Sequence, residues 1–156
     1  MNRSLHLALA LVALAAMAIG ADNTVGSWKF DPAKSKAAPG TSPVKGLVVV
    51  REDNGGMIKI SGKGEREDGS KIDFTYTARY DSNEVPVSGT GLPYDMTALK
   101  QVDDNTITSV NSKQGGTYKS TARFVVSNGG KTATLTTRGT GADGKMFTSK
   151  SVYQKQ

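Results

Sequence analysis

From Val44 to the end of the chain, apolar and polar residues alternate in short stretches, and each stretch ends in a cluster of turn-forming residues. Residues 71–80 show this most clearly: Ile72, Phe74, Tyr76, Ala78 and Tyr80 share one parity, and Asp73, Thr75, Thr77 and Arg79 the other. A period of two puts the first set on one face of a β-strand. Tyr118, Ser120, Ala122, Phe124 and Val126 repeat the scheme against Lys119, Thr121 and Arg123. Weaker alternation predicts strands over 57–62, 96–102, 107–111, 133–139 and 146–153. The unbroken apolar run Leu47-Val48-Val49-Val50 predicts another, covered on both faces. Between the strands stand Asn54-Gly55-Gly56, Asp68-Gly69, Asp103-Asp104-Asn105, Gln114-Gly115-Gly116, Asn128-Gly129-Gly130 and Asp143-Gly144. Such clusters supply the positive φ angles of tight hairpins. The pattern is that of an all-β, antiparallel up-and-down meander of about 8–10 strands. Closing the meander into a barrel removes its two exposed edges, so a barrel is expected, with a two-sheet β-sandwich as the alternative.

Two stretches break the alternation. Asp31-Pro32-Ala33-Lys34 places a capping residue before a proline and predicts one helical turn, with Asp31-Pro32 leading the chain out of the first strand. Residues 37–43 and 85–93 are rich in Gly, Ser and Pro and read as irregular connections, of the kind that often border a binding mouth.

The first twenty residues follow a different rule. Arg3 precedes an apolar run over 5–19, broken only by His6, and Ala16-Met17-Ala18 or Ala18-Ile19-Gly20 offers a small-residue cleavage site. This is the layout of a secretory signal peptide, and the run is shorter than the roughly 20 residues of a spanning helix. Residues 1–20 are therefore read as a signal peptide and 21–156 as a single domain. The expected product is a periplasmic or secreted monomer with no membrane span. Without cysteine it has neither a lipid anchor nor disulfides. About 135 residues suffice to bury a core. The net charge of +6 is spread in single lysines and arginines among acids, so no nucleic-acid partner is expected.

The missing residue types exclude much chemistry. The single histidine is His6, inside the expected leader. The remaining chain has no imidazole and no thiol, which removes Ser-His-Asp and Cys-His catalysis and nearly all zinc sites. Glu65, Glu67, Asp68, Asp103 and Asp104 fall at predicted turns, where acids serve the turn. Neither Gly89-Thr90-Gly91 nor Gly139-Thr140-Gly141 stands between a strand and a helix, as a phosphate loop does. No enzyme, metal or cofactor is expected.

Phe74, Tyr76, Tyr80, Tyr118, Phe124, Phe147 and Tyr153 share the inward parity with Ala78, Ser120, Ala122 and Ser149. Large rings among small hydroxyls predict a partly polar interior that holds a small apolar or amphipathic ligand. Non-enzymatic binding of such a ligand is the expected function. The rival reading is a structural or interaction protein of the cell envelope, with a filled barrel and partner-binding loops.

Gly26-Ser27-Trp28-Lys29-Phe30, which holds the sole tryptophan, resembles the Gly-x-Trp first strand of the calycins, among them lipocalins and fatty-acid-binding proteins. Residues 26–36 are similar to the opening Gly-Thr-Trp-Lys-Leu-Asn-Pro-x-Lys-Ser-Lys of small exported bacterial lipocalin-like proteins. Ser151-Val152-Tyr153-Gln154-Lys155 resembles the last strand of the fatty-acid-binding proteins. The resemblance implies a lipocalin-like barrel whose floor is plugged by Trp28, with Arg123 or Arg138 stacked on the indole. It also has departures. Fatty-acid-binding proteins hold a carboxylate with an Arg-x-Tyr pair on the last strand, where this chain has Ser151 and Tyr153. Their helix-turn-helix lid has no counterpart in 31–43. The inner face is accordingly expected to be neutral, without a strong carboxylate preference.

Overall fold

The alternating stretches fold as strands and their turn clusters as hairpin ends in a computed structural model that describes residues 21–127 and 129–156. The expected signal peptide, 1–20, lies outside the described residues. The described strands are β1 (Gly26–Lys36), β2 (Val44–Asp53), β3 (Ile58–Arg66), β4 (Lys71–Ala78), β5 (Val85–Pro86), β6 (Ser88–Thr90), β7 (Met96–Asp103), β8 (Thr106–Ser112), β9 (Lys119–Val126), β10 (Thr132–Thr140) and β11 (Met146–Lys155). They form one antiparallel sheet in the order β5-β7-β8-β9-β10-β11-β1-β2-β3-β4-β6. β1 pairs with both β2 and β11, so the sheet curls until β4 and β7 stand at a seam. The segment between them stitches it. Asp81 bridges to Lys100, Ser82 donates its N–H to the Leu99 carbonyl at 2.9 Å, β5 pairs with β7, and β6 pairs with β4. The result is a nearly closed up-and-down barrel and not a sandwich. No helix among the described residues is long and apolar enough to cross a membrane.

Asp residues hold the hairpin turns. Asp53 Oδ1 accepts from the Gly56 N–H at 2.8 Å, Asp68 Oδ1 from Ser70 at 2.9 Å, Asp103 Oδ1 from Asn105 at 2.9 Å and Asp143 Oδ1 from Lys145 at 3.0 Å. Each captures an orphan amide two or three residues on, which is why short acids stand at these positions.

Three local expectations are corrected. Residues 31–34 form no helical turn: β1 runs through them to Lys36, and its register against β11 jumps from Asp31–Val152 to Lys36–Lys150. The surplus residues form a bulge, and Pro32, which has no N–H, falls where the ladder is interrupted. The Ser35 hydroxyl donates to the Asp31 carbonyl at 2.7 Å and accepts from the Val152 N–H at 2.8 Å, replacing a lost ladder bond. Second, the run 47–50 is covered on one face only. Leu47 and Val49 pack inward, while Val48 is 39% exposed, because no second layer lies outside a barrel wall. Third, 85–93 is not a plain loop, since it contains the two short strands of the seam.

Inside, Ile58, Ile60, Ile72, Leu99 and Ile107 cluster on the wall made by β3, β4, β7 and β8. Trp28, Phe30, Phe124, Val126 and Tyr153 form a second cluster on the wall made by β1, β9 and β11. Leu47 and Val49 of β2 touch both clusters, and the space between them is the candidate site.

Candidate ligand cavity

Residues 21–25 cross one end of the barrel before β1 begins. Asn23 donates its N–H to the Asp104 carbonyl and its side-chain amide to Asn105 Oδ1, both at 2.9 Å, in the turn between β7 and β8. Trp28 is fully buried and donates its indole N–H to the Thr24 carbonyl at 2.8 Å. Its ring meets Phe124 edge-on, with centroids 5.5 Å apart. Lys155 Nζ lies 5.2 Å from the indole centroid. The lysine passes over Gly26, where a Cβ would stand 2.8 Å from Lys155 Cε and where φ is +133°. A glycine therefore opens the route by which the last strand caps the floor. This corrects the expected arginine: Arg123 and Arg138 are exposed on the outer faces of β9 and β10. Each stands between inward neighbours, Ala122 and Phe124 or Thr137 and Gly139, so strand parity turns it outward.

Above the floor lies a cavity of about 970 Å³. Its lining reaches from Arg51 and Phe124 to a rim made by 37–43, 66–70, 91–94 and 141–146. Of the aromatic residues expected inside, Phe74, Tyr76, Tyr118, Phe124, Phe147 and Tyr153 face it. Tyr80 does not; its hydroxyl donates to the Asp22 carboxylate in the floor. The interior is not filled, contrary to the structural-protein reading. Space for the rings comes partly from β3, because a Cβ on Gly62 would stand 2.4 Å from Phe74 Cε1. Phe74 lies instead against bare backbone and stacks on Tyr76, with centroids 6.3 Å apart. Tyr118 packs against Tyr94 at 6.1 Å and Phe147 at 5.7 Å.

The interior polar groups fall into two sets. Tyr118 donates to Ser120 Oγ at 3.1 Å, Asn111 Nδ2 donates to the same oxygen at 3.3 Å, and Asn111 Oδ1 accepts from Thr97 Oγ1 at 2.7 Å. These bonds tie β7, β8 and β9 together and satisfy one another. The hydroxyls of Tyr76 and Tyr94, by contrast, make no hydrogen bond to any described residue, and both side chains face the cavity. Burial raises the Tyr76 phenol above its usual value against the pull of the Arg51 charge, and raises Tyr94 well above it. Burial likewise raises Tyr153 to about 12. These phenols stay neutral donors at physiological pH.

Arg51 and Tyr94 escaped the sequence reading. Arg51 has the inward parity of Leu47 and Val49 and pairs across to Ile60, but the continuous apolar run before it hides that parity. Tyr94 follows Pro93 in an aperiodic stretch that gives no signal. At the rim, Arg66 donates to the Gly91 carbonyl at 2.7 Å and to the Ser42 carbonyl at 3.2 Å, fixing two rim segments together. Beside it, Glu65 lies between Lys45 at 2.8 Å and Lys71 at 2.7 Å, and these bonds bring its carboxyl down to about 2.

Neither family models nor curated proteins match the chain. Among the solved structures that do match is a redesigned β-barrel, mFAP1, bound to DFHBI. The two are 13% identical with a TM-score of 0.45, over 85% of this chain and 95% of that one.

Proposed function

We propose that the protein binds a small, partly apolar molecule inside the barrel and does no chemistry on it. The observation that carries this reading is the cavity itself. Its volume of about 970 Å³ is at the upper end of the range of small-molecule sites. Its wall is aliphatic and aromatic, and the Tyr76 and Tyr94 hydroxyls remain available to orient a ligand. The apolar body would displace cavity water while the hydroxyls fix its polar end. We extend the proposal to an exported, lipocalin-like protein, on the strength of the segments 1–20 and 26–36. N-terminal sequencing of protein recovered from the periplasm or medium should then begin at Ile19 or Ala21, after one of the two cleavage sites.

Binding is tested with N-phenylnaphthylamine, a neutral apolar probe whose fluorescence rises out of water. The protein should bind it saturably. Ser149→Trp, which places an indole in the cavity from β11, should weaken binding roughly tenfold or more with the barrel intact by circular dichroism. A probe that does not bind, or that ignores the indole, overturns the reading.

A further inference from the structure

The closed end of the cavity holds a buried cation that no carboxylate among the described residues contacts directly. Arg51 is 6% exposed and projects inward from β2, with its guanidinium 5.3 Å from the Phe124 ring centroid. Nε donates to Thr24 Oγ1 at 3.3 Å and Nη2 to the Tyr80 hydroxyl at 3.4 Å. Both hydroxyls in turn donate to the Asp22 carboxylate, so their lone pairs are aimed at the arginine. Asp22 thus orients the guanidinium through two intermediaries. No carboxylate among the described residues pairs with Arg51 directly. Burying a cation without a paired anion is costly, and one hydroxyl between charges offsets only part of that cost. The floor uses Nε and Nη2, while Nη1 has no partner among the described residues and Arg51 lines the cavity. Tyr76, which stands two strands over in the same register through Ile60, also lines the cavity, and its hydroxyl has no partner among the described residues.

We propose that this end of the cavity is a subsite for a singly charged oxyanion, held between Arg51 Nη1 and the Tyr76 hydroxyl. The ligand class is then an amphipathic acid, a carboxylate or sulfonate on an apolar body that extends along the aromatic wall toward the rim. One guanidinium edge and one phenol match a monoanion and leave a doubly charged phosphate under-neutralised. The inference rests on the reading of the barrel as a small-molecule binder. It replaces the neutral inner face expected from the missing last-strand arginine. The acid subsite is on β2, beside the floor, and not on β11.

Two probes with one skeleton test it: anilinonaphthalene sulfonate, and N-phenylnaphthylamine, which lacks the sulfonate. The unsubstituted protein should prefer the sulfonate. Arg51→Met should lower the ratio of the two affinities roughly tenfold or more, because a charge-assisted hydrogen bond is lost. Tyr76→Phe, which keeps the cation and the ring, should lower it several-fold and serves if Arg51→Met fails to fold. No preference in the unsubstituted protein, or a ratio that survives both substitutions, overturns the subsite while N-phenylnaphthylamine binding upholds the cavity. If neither probe binds, the failure is that of the binding reading itself.

Discussion

Trp28 does more for the barrel than for the cavity. Its indole is enclosed by Phe124, the Thr24 carbonyl and the Lys155 stem, and it does not line the cavity. Trp28→Ala removes this packing and leaves a hole that a closed wall cannot collapse. The expected loss is about 3–5 kcal/mol in denaturant unfolding, with probe affinity of the folded fraction little changed. A large affinity loss at unchanged stability would put Trp28 in the ligand site. The floor position was legible only through the resemblance of Gly26-Ser27-Trp28 to the first strand of the calycins. The identity of its cation was not. Lys155 lies on the last strand, and only the pairing of β1 with β11, Trp28 opposite Lys155, brings it over the ring.

At the scale of the element, β1 shows how tertiary pairing overrides local preference. Asp31-Pro32 is a good start for a helical turn, yet β11 beside it offers ladder partners on both sides of the bulge. Ser35 makes the bulge tolerable by standing in for a backbone acceptor to Val152. Ser35→Ala should therefore cost about 1 kcal/mol and speed amide exchange at Val152 more than at Val126, a buried β9 site well away from the bulge. Equal exchange at both sites would show that the hydroxyl bears no ladder duty. The same competition explains β5 and β6. Residues 85–90 have weak strand character, but they lie between two open edges whose unpaired backbone groups recruit them. By contrast β4 and β9 were legible residue by residue, since their alternation records a wall with one wet and one dry face.

Across the molecule, all five tyrosines titrate above their usual range, chiefly through burial. In the folded barrel these phenols keep protons that the unfolded chain gives up from about pH 10. Their contribution to stability is complete below that pH and falls as the pH rises, toward about 12 for Tyr153. Alkaline titration should show phenolate absorbance and loss of the β-sheet signal rising together, and ionisation near pH 10 with the barrel intact would contradict the buried phenols.

The all-β class, the hairpin turns and most of the inward aromatics follow from the sequence alone, because each is written in local composition or in a period of two. Barrel closure, the cavity and the buried Arg51 were decided by the tertiary structure. Closure depends on pairing between the first and last strands and on a short seam with little strand signal of its own. The cation's meaning depends on what it lacks across the barrel, and a missing partner leaves no mark along the chain.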